Sequence, residues 1–473
     1  MVRFLLLWSP LWIAVIALLS LGGNSESIAW GRLFSSGLET LMLMGASVGV
    51  TLLFGVSLGF CLSQLLPEKT KSEVLLKVPL FFPGFLAVLF WKAVAPESMR
   101  TDVLIVLSFA AWGIPWISYE TLQSVRVIPK TLLETLSLLG LSRMRRLAFF
   151  WGPYFWNAHR SVRVQLVLWA LTQYTAVMVL ARGEVETLEV LIKRSLTSAD
   201  FQPKLAAFAL LIQMGMSIVW VWRRRNIVHT SFTSETEIRT KSQVSRPWGM
   251  FLLWGLIGIS FIPFIYSVIQ GATQHIYWSL EDGARVFVIV SVSHVLIYGK
   301  QTYRWKWEGL DALGGVSSIA MAVGVWVIAL FLHLESYSQA VLASVTQAWI
   351  LLPFVDRYWS GYTRSEDFRQ LQEEVELLGV RPVQALWVAG GRSFVERLAF
   401  SMGLSITWVW TEFSVLDFFT DSSFRPLTYW VHQAALSYNF QAAFGMLWVP
   451  VAIGVGVASG VLGGYELWRW ARA

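Results

Sequence analysis

Of the 473 residues, 55% are hydrophobic, 26 are Trp and only 14% are charged, which excludes an ordinary soluble domain and matches a polytopic membrane protein whose surface faces lipid. The net charge of +7 is read as basic cytoplasmic loops rather than a nucleic acid site. The single Cys61 excludes an internal disulfide framework.

Met1 to Leu21 carries one Arg and a long apolar run with no small-x-small cleavage site behind it, which predicts an uncleaved first helix. Apolar runs long enough to cross a bilayer place six spans in the first half, at 4–21, 38–63, 74–95, 103–122, 157–181 and 204–222. Pro79 and Pro83 in the third span and Pro115 in the fourth predict kinks, because each removes a backbone donor. From Arg223 to Pro247 the chain is rich in Ser, Thr and charge without an apolar period, as in a solvated linker. Six more spans follow at 248–269, 283–299, 310–332, 337–358, 394–418 and 441–468, with Pro353 in the tenth. The organisation expected is therefore all-α, with residues 1–222 and 248–473 as two fused six-helix halves on either side of a linker at 223–247, about twelve transmembrane helices in all. Trp8, Trp30, Trp112, Trp116, Trp278 and Trp468 fall near span ends, where indole rings anchor helices at the membrane interface. With the N-terminus inside, most of the 37 Lys and Arg lie in or beside cytoplasmic segments, so both termini are expected in the cytoplasm.

Two of those segments, 126–156 and 365–393, are polar and related to each other. The offset of 239 residues that carries Glu134 to Glu373 also carries Leu138, Leu139, Gly140 and Gly152 to Leu377, Leu378, Gly379 and Gly391. Farther on it carries Trp169, Thr172, Gln173, Tyr174 and Thr175 to Trp408, Thr411, Glu412, Phe413 and Ser414. It then carries Ser198, Asp200, Phe201 and Gln202 to Ser437, Asn439, Phe440 and Gln441. One ungapped register over this distance marks a duplicated half. Within each loop the pattern reads helix, tight turn, helix. Gly140 and Gly379 suit the left-handed residue that stops the first helix, Ser142 suits the cap of the second, and Arg143 and Pro382 suit its first helical position.

Glu134, Gly140 and Pro153 stand at the spacing of the cytoplasmic EAA loop, and the chain here resembles the permeases of binding-protein-dependent ABC importers. Flanking stretches extend the likeness: VPLFFPGFLAVLF at Val78 to Phe90 resembles the family's proline-bearing third helix, and WTEFSVLDF at Trp410 to Phe418 its segment after the loop. The family's alanines are replaced by Thr135 and Leu136 and, in the copy, by Glu374 and Val375, and Arg392 stands where the second proline would be. The fused form is similar to the thiamine and ferric-iron permeases, with Thr187 to Leu211 closer to the thiamine type. This resemblance implies a bacterial inner-membrane protein without a cofactor. Its loops, through Glu134, Gly140, Ser142, Arg143, Pro153, Glu373, Gly379 and Pro382, would dock on a dimeric cytoplasmic ABC ATPase, while a periplasmic substrate-binding protein delivers substrate opposite. Lipid is then the other partner, with no nucleic acid.

The residues themselves agree with an outside energy source, since there is no GxxxxGK[ST] phosphate loop, HExxH or paired CxxC in the chain, and it is expected not to be an enzyme. Its six His have no ligand spacing. Glu412 falls inside an apolar span, where a carboxylate must face a partner, water or the bundle interior. With Phe413 and the repeat mates Gln173 and Tyr174, it is a candidate for the translocation path, a helix-packing hydrogen bond being the other reading. The rival class is a secondary transporter driven by an ion gradient, which also tolerates internal repeats and an intramembrane carboxylate.

Overall fold

The computed structural model describes residues 9–22, 28–66, 84–96, 98–126, 142–146, 150–171, 174–181, 183–198, 200–225, 247–271, 279–302, 318–331, 336–363, 379–380, 382–412 and 426–472, together with isolated positions between them. Every regular element among them is a helix. The first half contributes α1 Ser9–Leu21, α2 Trp30–Leu65, α3 Gly84–Val94, α4 Thr101–Arg126, α5 Arg143–Arg146, α6 Gly152–Ala158, α7 Arg160–Leu171, α8 Tyr174–Ala181, α9 Leu188–Thr197 and α10 Pro203–Arg225. The second contributes α11 Pro247–Gly271, α12 Leu280–Thr302, α13 Ser318–Phe331, α14 Ser336–Thr363, α15 Pro382–Thr411, α16 Leu427–Leu436 and α17 Phe440–Arg472.

The offset seen in the sequence reappears in helix positions, and α9 and α16 coincide residue for residue when 239 is added. Packing repeats as well. As α2 packs on α4 and α7, so α12 packs on α14 and α15; α3 with α4 matches α13 with α14, α9 with α10 matches α16 with α17, and α1 with α10 matches α11 with α17. Between the halves the contacts are reciprocal, α1 lying on α13 and α11 on α3. Reciprocal pairing is what two copies related by a two-fold rotation produce.

Among the described residues three helices are long and apolar enough to cross a membrane: Trp30–Leu65, Thr101–Arg126 and Phe440–Leu467. Two bent pairs raise the number to five if each is one span: Val162–Leu171 with Tyr174–Ala181, bent by 43°, and Pro247–Ile259 with Phe261–Gly271, bent by 44°. Shorter apolar helices, Leu11–Leu21, Pro203–Val219, Ala320–Ala329 and Ala340–Asp356, fall where four other spans are expected. Large apolar side chains such as Ile16, Phe34, Leu53, Phe251, Ile259 and Val295 project outward, which suits a helical bundle embedded in lipid and would be a liability in water.

Three expectations change. The third span is not one kinked helix: Phe82 N–H donates to Pro79 O at 3.0 Å in a tight turn, and α3 starts only at Gly84. Closely spaced prolines remove too many donors for a helix to run through them. By contrast, Pro115 and Pro353 do lie inside α4 and α14. Trp112 and Trp116 are not interfacial anchors but pack on Trp169, with ring centroids 4.8 and 5.1 Å away, and Trp169 meets Phe354 of the second half at 6.4 Å. Trp30 is exposed, with its ring 5.3 Å from that of Phe208. Finally, span 394–418 is broken, because α15 ends at Thr411 and helical residues resume at Val415. Trp8, Trp278 and most of the linker, 226–246, lie outside the described residues.

Candidate functional site

At the two basic loops, Gly140 has φ +60° and Gly379 φ +80°, the left-handed conformation that ends a helix and that a Cβ disfavours. Leu139 N–H donates to Thr135 O at 3.1 Å, closing the last turn before the stop. Ser142 then opens α5, its carbonyl accepting from Arg146 N–H at 2.9 Å and its Oγ from Arg145 N–H at 3.4 Å, the arrangement of an N-cap. Arg143 and Pro382 are the first residues of α5 and α15, and Pro153 lies in the first turn of α6. Gly391, the mate of Gly152, breaks α15 with φ 49° and ψ −138°. Glu373 is helical and exposed, whereas Glu134 lies outside the described residues. Before each stop stands a leucine in full view of solvent, Leu138 at 85% exposure and Leu377 at 86%.

Deeper in the bundle, the break between α7 and α8 leaves backbone donors at the start of α8, and in hydrocarbon each unsatisfied group costs several kcal/mol. Glu189, from the first turn of α9, supplies the acceptor: its Oε2 takes Tyr174 N–H at 2.9 Å and its Oε1 takes Gln213 Nε2 at 3.1 Å. Tyr174 and Glu189 are each 1% exposed, so both belong to the packed interior. In the second half, Glu412 stands directly after α15 and accepts Val415 N–H through Oε2 at 3.0 Å. Both carboxylates lie at helix N-termini, where the helix dipole favours negative charge. The structure thus brings Tyr174 and Glu412 to equivalent breaks, while Gln173 and Phe413 lie outside the described residues.

The sequence reading missed Glu189, and it also missed the groups that hold α9 and α16. Leu188 N–H, at the start of α9, donates to Thr40 Oγ1 of α2 at 2.9 Å. Ahead of it, Glu186 binds Arg32 through both oxygens at 2.7 and 2.6 Å and Arg194 at 3.1 Å. Burial raises the Glu186 pKa, but the hydrogen bonds and charges of Arg32 and then Arg194 outweigh it and leave the pKa below its ordinary value. The clamp is therefore ionised at neutral pH. Leu427 N–H, at the start of α16, instead meets Asp282 Oδ2 at 3.0 Å, which also accepts Trp410 Nε1 at 2.8 Å, while Asp282 Oδ1 pairs with Arg285 at 2.8 Å. A second buried pair, Lys300 with Asp356 at 2.5 Å, stands where the first half has Cys61 and Ile117. The one signal available for these groups was charge inside apolar runs.

His159 Nε2 lies 2.8 Å from Thr121 Oγ1 and His294 Nε2 2.9 Å from Ser401 Oγ, so both bridge helices. Among the described residues no group of His, Cys, Asp and Glu is arranged to hold a metal. No protein-family profile matches the chain, and no curated protein or solved structure shows significant similarity to it.

Proposed function

We propose that the chain is the permease subunit of an ABC importer, forming the substrate path between its two halves and coupling it to a separate dimeric ATPase in the cytoplasm. A periplasmic binding protein delivers substrate at the opposite end of the bundle, in a bacterial inner membrane with both termini inside. The twelve-span, six-plus-six arrangement is part of this reading. Its main support is the matched pair Leu138 and Leu377, 85% and 86% exposed, each just before a left-handed glycine. A single exposed leucine is ordinary. Two at one repeat offset, each two residues before a left-handed glycine, fit a partner that itself has two equal sockets, as an ATPase dimer does. An ion-driven carrier has no use for such a pair. Thiamine and ferric iron, the substrates the resemblance implies, are both cationic, and Glu189 and Glu412 are buried carboxyl groups at the breaks.

The test is retention of the partner ABC ATPase that this reading requires. Leu138→Asp and Leu377→Asp are each expected to weaken retention about tenfold or more, as loss of an apolar anchor does, with membrane abundance unchanged because both side chains are exposed. Gly140→Pro and Gly379→Pro should act the same way, since proline cannot take a positive φ. Wild-type retention in the double leucine variant rejects the reading.

A further inference from the structure

The two breaks are capped by different routes. In the second half the carboxylate belongs to the break itself, Glu412 accepting the amide three residues on. In the first half it arrives from α9, through Glu189 on Tyr174 N–H. Three residues before Glu189, Glu186 fixes the start of the same helix to Arg32, which is 40% exposed, and to Arg194. Between them Leu188 N–H is held by Thr40. A single turn of chain therefore joins a solvent-accessible ion clamp, at the end of the bundle away from the basic loops, to a bend buried in its core.

We propose that Glu189 is a latch: α9 must remain seated for the bend between α7 and α8 to remain capped, and displacing α9 from its exposed end releases the first turn of α8. Glu189 is then a positioning residue, and it is the true counterpart of Glu412, a role that sequence register gives to Gln173. The cap at Glu412 has no need of α16 to supply its carboxylate. The first half is thus the one whose bend responds to events at the clamp, where a partner bearing basic groups would compete for Glu186.

Amide hydrogen exchange on the full chain in lipid nanodiscs tests this, and because it needs neither ATPase nor substrate it fails or succeeds separately from the permease reading. Glu189→Gln is expected to speed exchange over 174–181 about tenfold or more, the effect of losing the carboxyl acceptor shared by Tyr174 N–H and Gln213 Nε2. Glu186→Gln, outside the core, should speed the same segment while leaving 415–419 unchanged. Combining Glu189→Gln with Gln173→Glu moves the carboxylate to the register of Glu412. By that register the new carboxylate meets the amide of Ala176, the mate of Val415, so protection should return from Ala176 onward and persist when Glu186→Gln is added. The latch is overturned if Glu186→Gln speeds 186–190 but not 174–181. It is equally overturned if Glu189→Gln loosens α2 and α4 as much as α8.

Discussion

Gly59→Leu should remove most of the folded protein from the membrane, while Gly45→Leu on the same helix should be tolerated. A Cβ at Gly59 would lie 2.5 Å from Ser118 O and 2.6 Å from Thr121 Cβ, and one at Gly55 would lie 2.6 Å from Ile117 Cβ. These atoms belong to α4, and two of the nearest to Gly59, Ser118 O and Ser118 Cα, are backbone. No rotamer change can relieve the clash, so α2 and α4 must separate. Without a hydrophobic force between helices in lipid, close backbone approach at small residues is what holds such pairs together. Overpacking by a methyl group costs about 1–3 kcal/mol, a large part of the roughly 5–15 kcal/mol that stabilises a typical domain, and leucine adds three more carbons. At Gly45 nothing lies within 4 Å of the added Cβ. Membrane abundance and thermal unfolding in detergent measure the difference, and equal values for the two variants would refute the packing argument.

The features legible in the sequence were those that depend on neighbours along the chain. A glycine stop needs only its own φ, so Gly140 and Gly379 were readable, as were Ser142 before α5 and Pro382 at the start of α15. Duplication was readable because it preserves spacing, but α9 and α16, which coincide at that spacing, fall between the expected spans and were not read as helices. Glu189 and Asp282 were not readable as caps, because they act on amides 15 and 145 residues away, and only the packed bundle brings those together. Register also misled at one point. It paired Gln173 with Glu412 as groups of equal depth and left a charge in one half only, whereas each break has a carboxylate, delivered in the first half from another helix. The same physical demand, an acceptor for a helix start in an apolar medium, was met in the two halves by residues that do not align. Composition alone likewise made Trp116 an anchor, because hydropathy cannot tell an indole at a span end from one packed against Trp169.

The divergence at α9 and α16 has a physical origin, and it predicts how the second half will respond to mutation. In the first half, α2 starts at Trp30, so Thr40 sits within a helix and its hydroxyl reaches Leu188 N–H. Its repeat mate is Ser279, which precedes α12 and spends its hydroxyl on Asp282 N–H at 3.1 Å. The start of α16 therefore falls to Asp282, and a carboxylate that is 5% exposed requires Arg285 beside it. Arg285 in turn donates to Gln347 Oε1 at 2.6 Å, and Gln347 Nε2 to Val409 O at 3.3 Å. The first half has Leu43 and Ala46 where these two charges stand. Asp282→Leu removes the carboxylate that Arg285 pairs with inside the bundle, and breaking such a pair from one side costs about 3–5 kcal/mol, so little folded protein is expected. Arg285→Ala should be milder, because Trp410 Nε1 and Leu427 N–H still bond the carboxylate. Adding Arg285→Ala to Asp282→Leu removes the guanidinium along with its carboxylate partner and reproduces the residues of the first half, leaving the Trp410 Nε1 and Leu427 N–H donors without the Asp282 acceptor at about 1–3 kcal/mol each. Part of the abundance and thermal stability lost in Asp282→Leu should then return, a non-additivity that only directly coupled residues show. If the double variant is no more stable than Asp282→Leu alone, Asp282 is not what compensates the Arg285 charge, and the start of α16 does not depend on the ion pair.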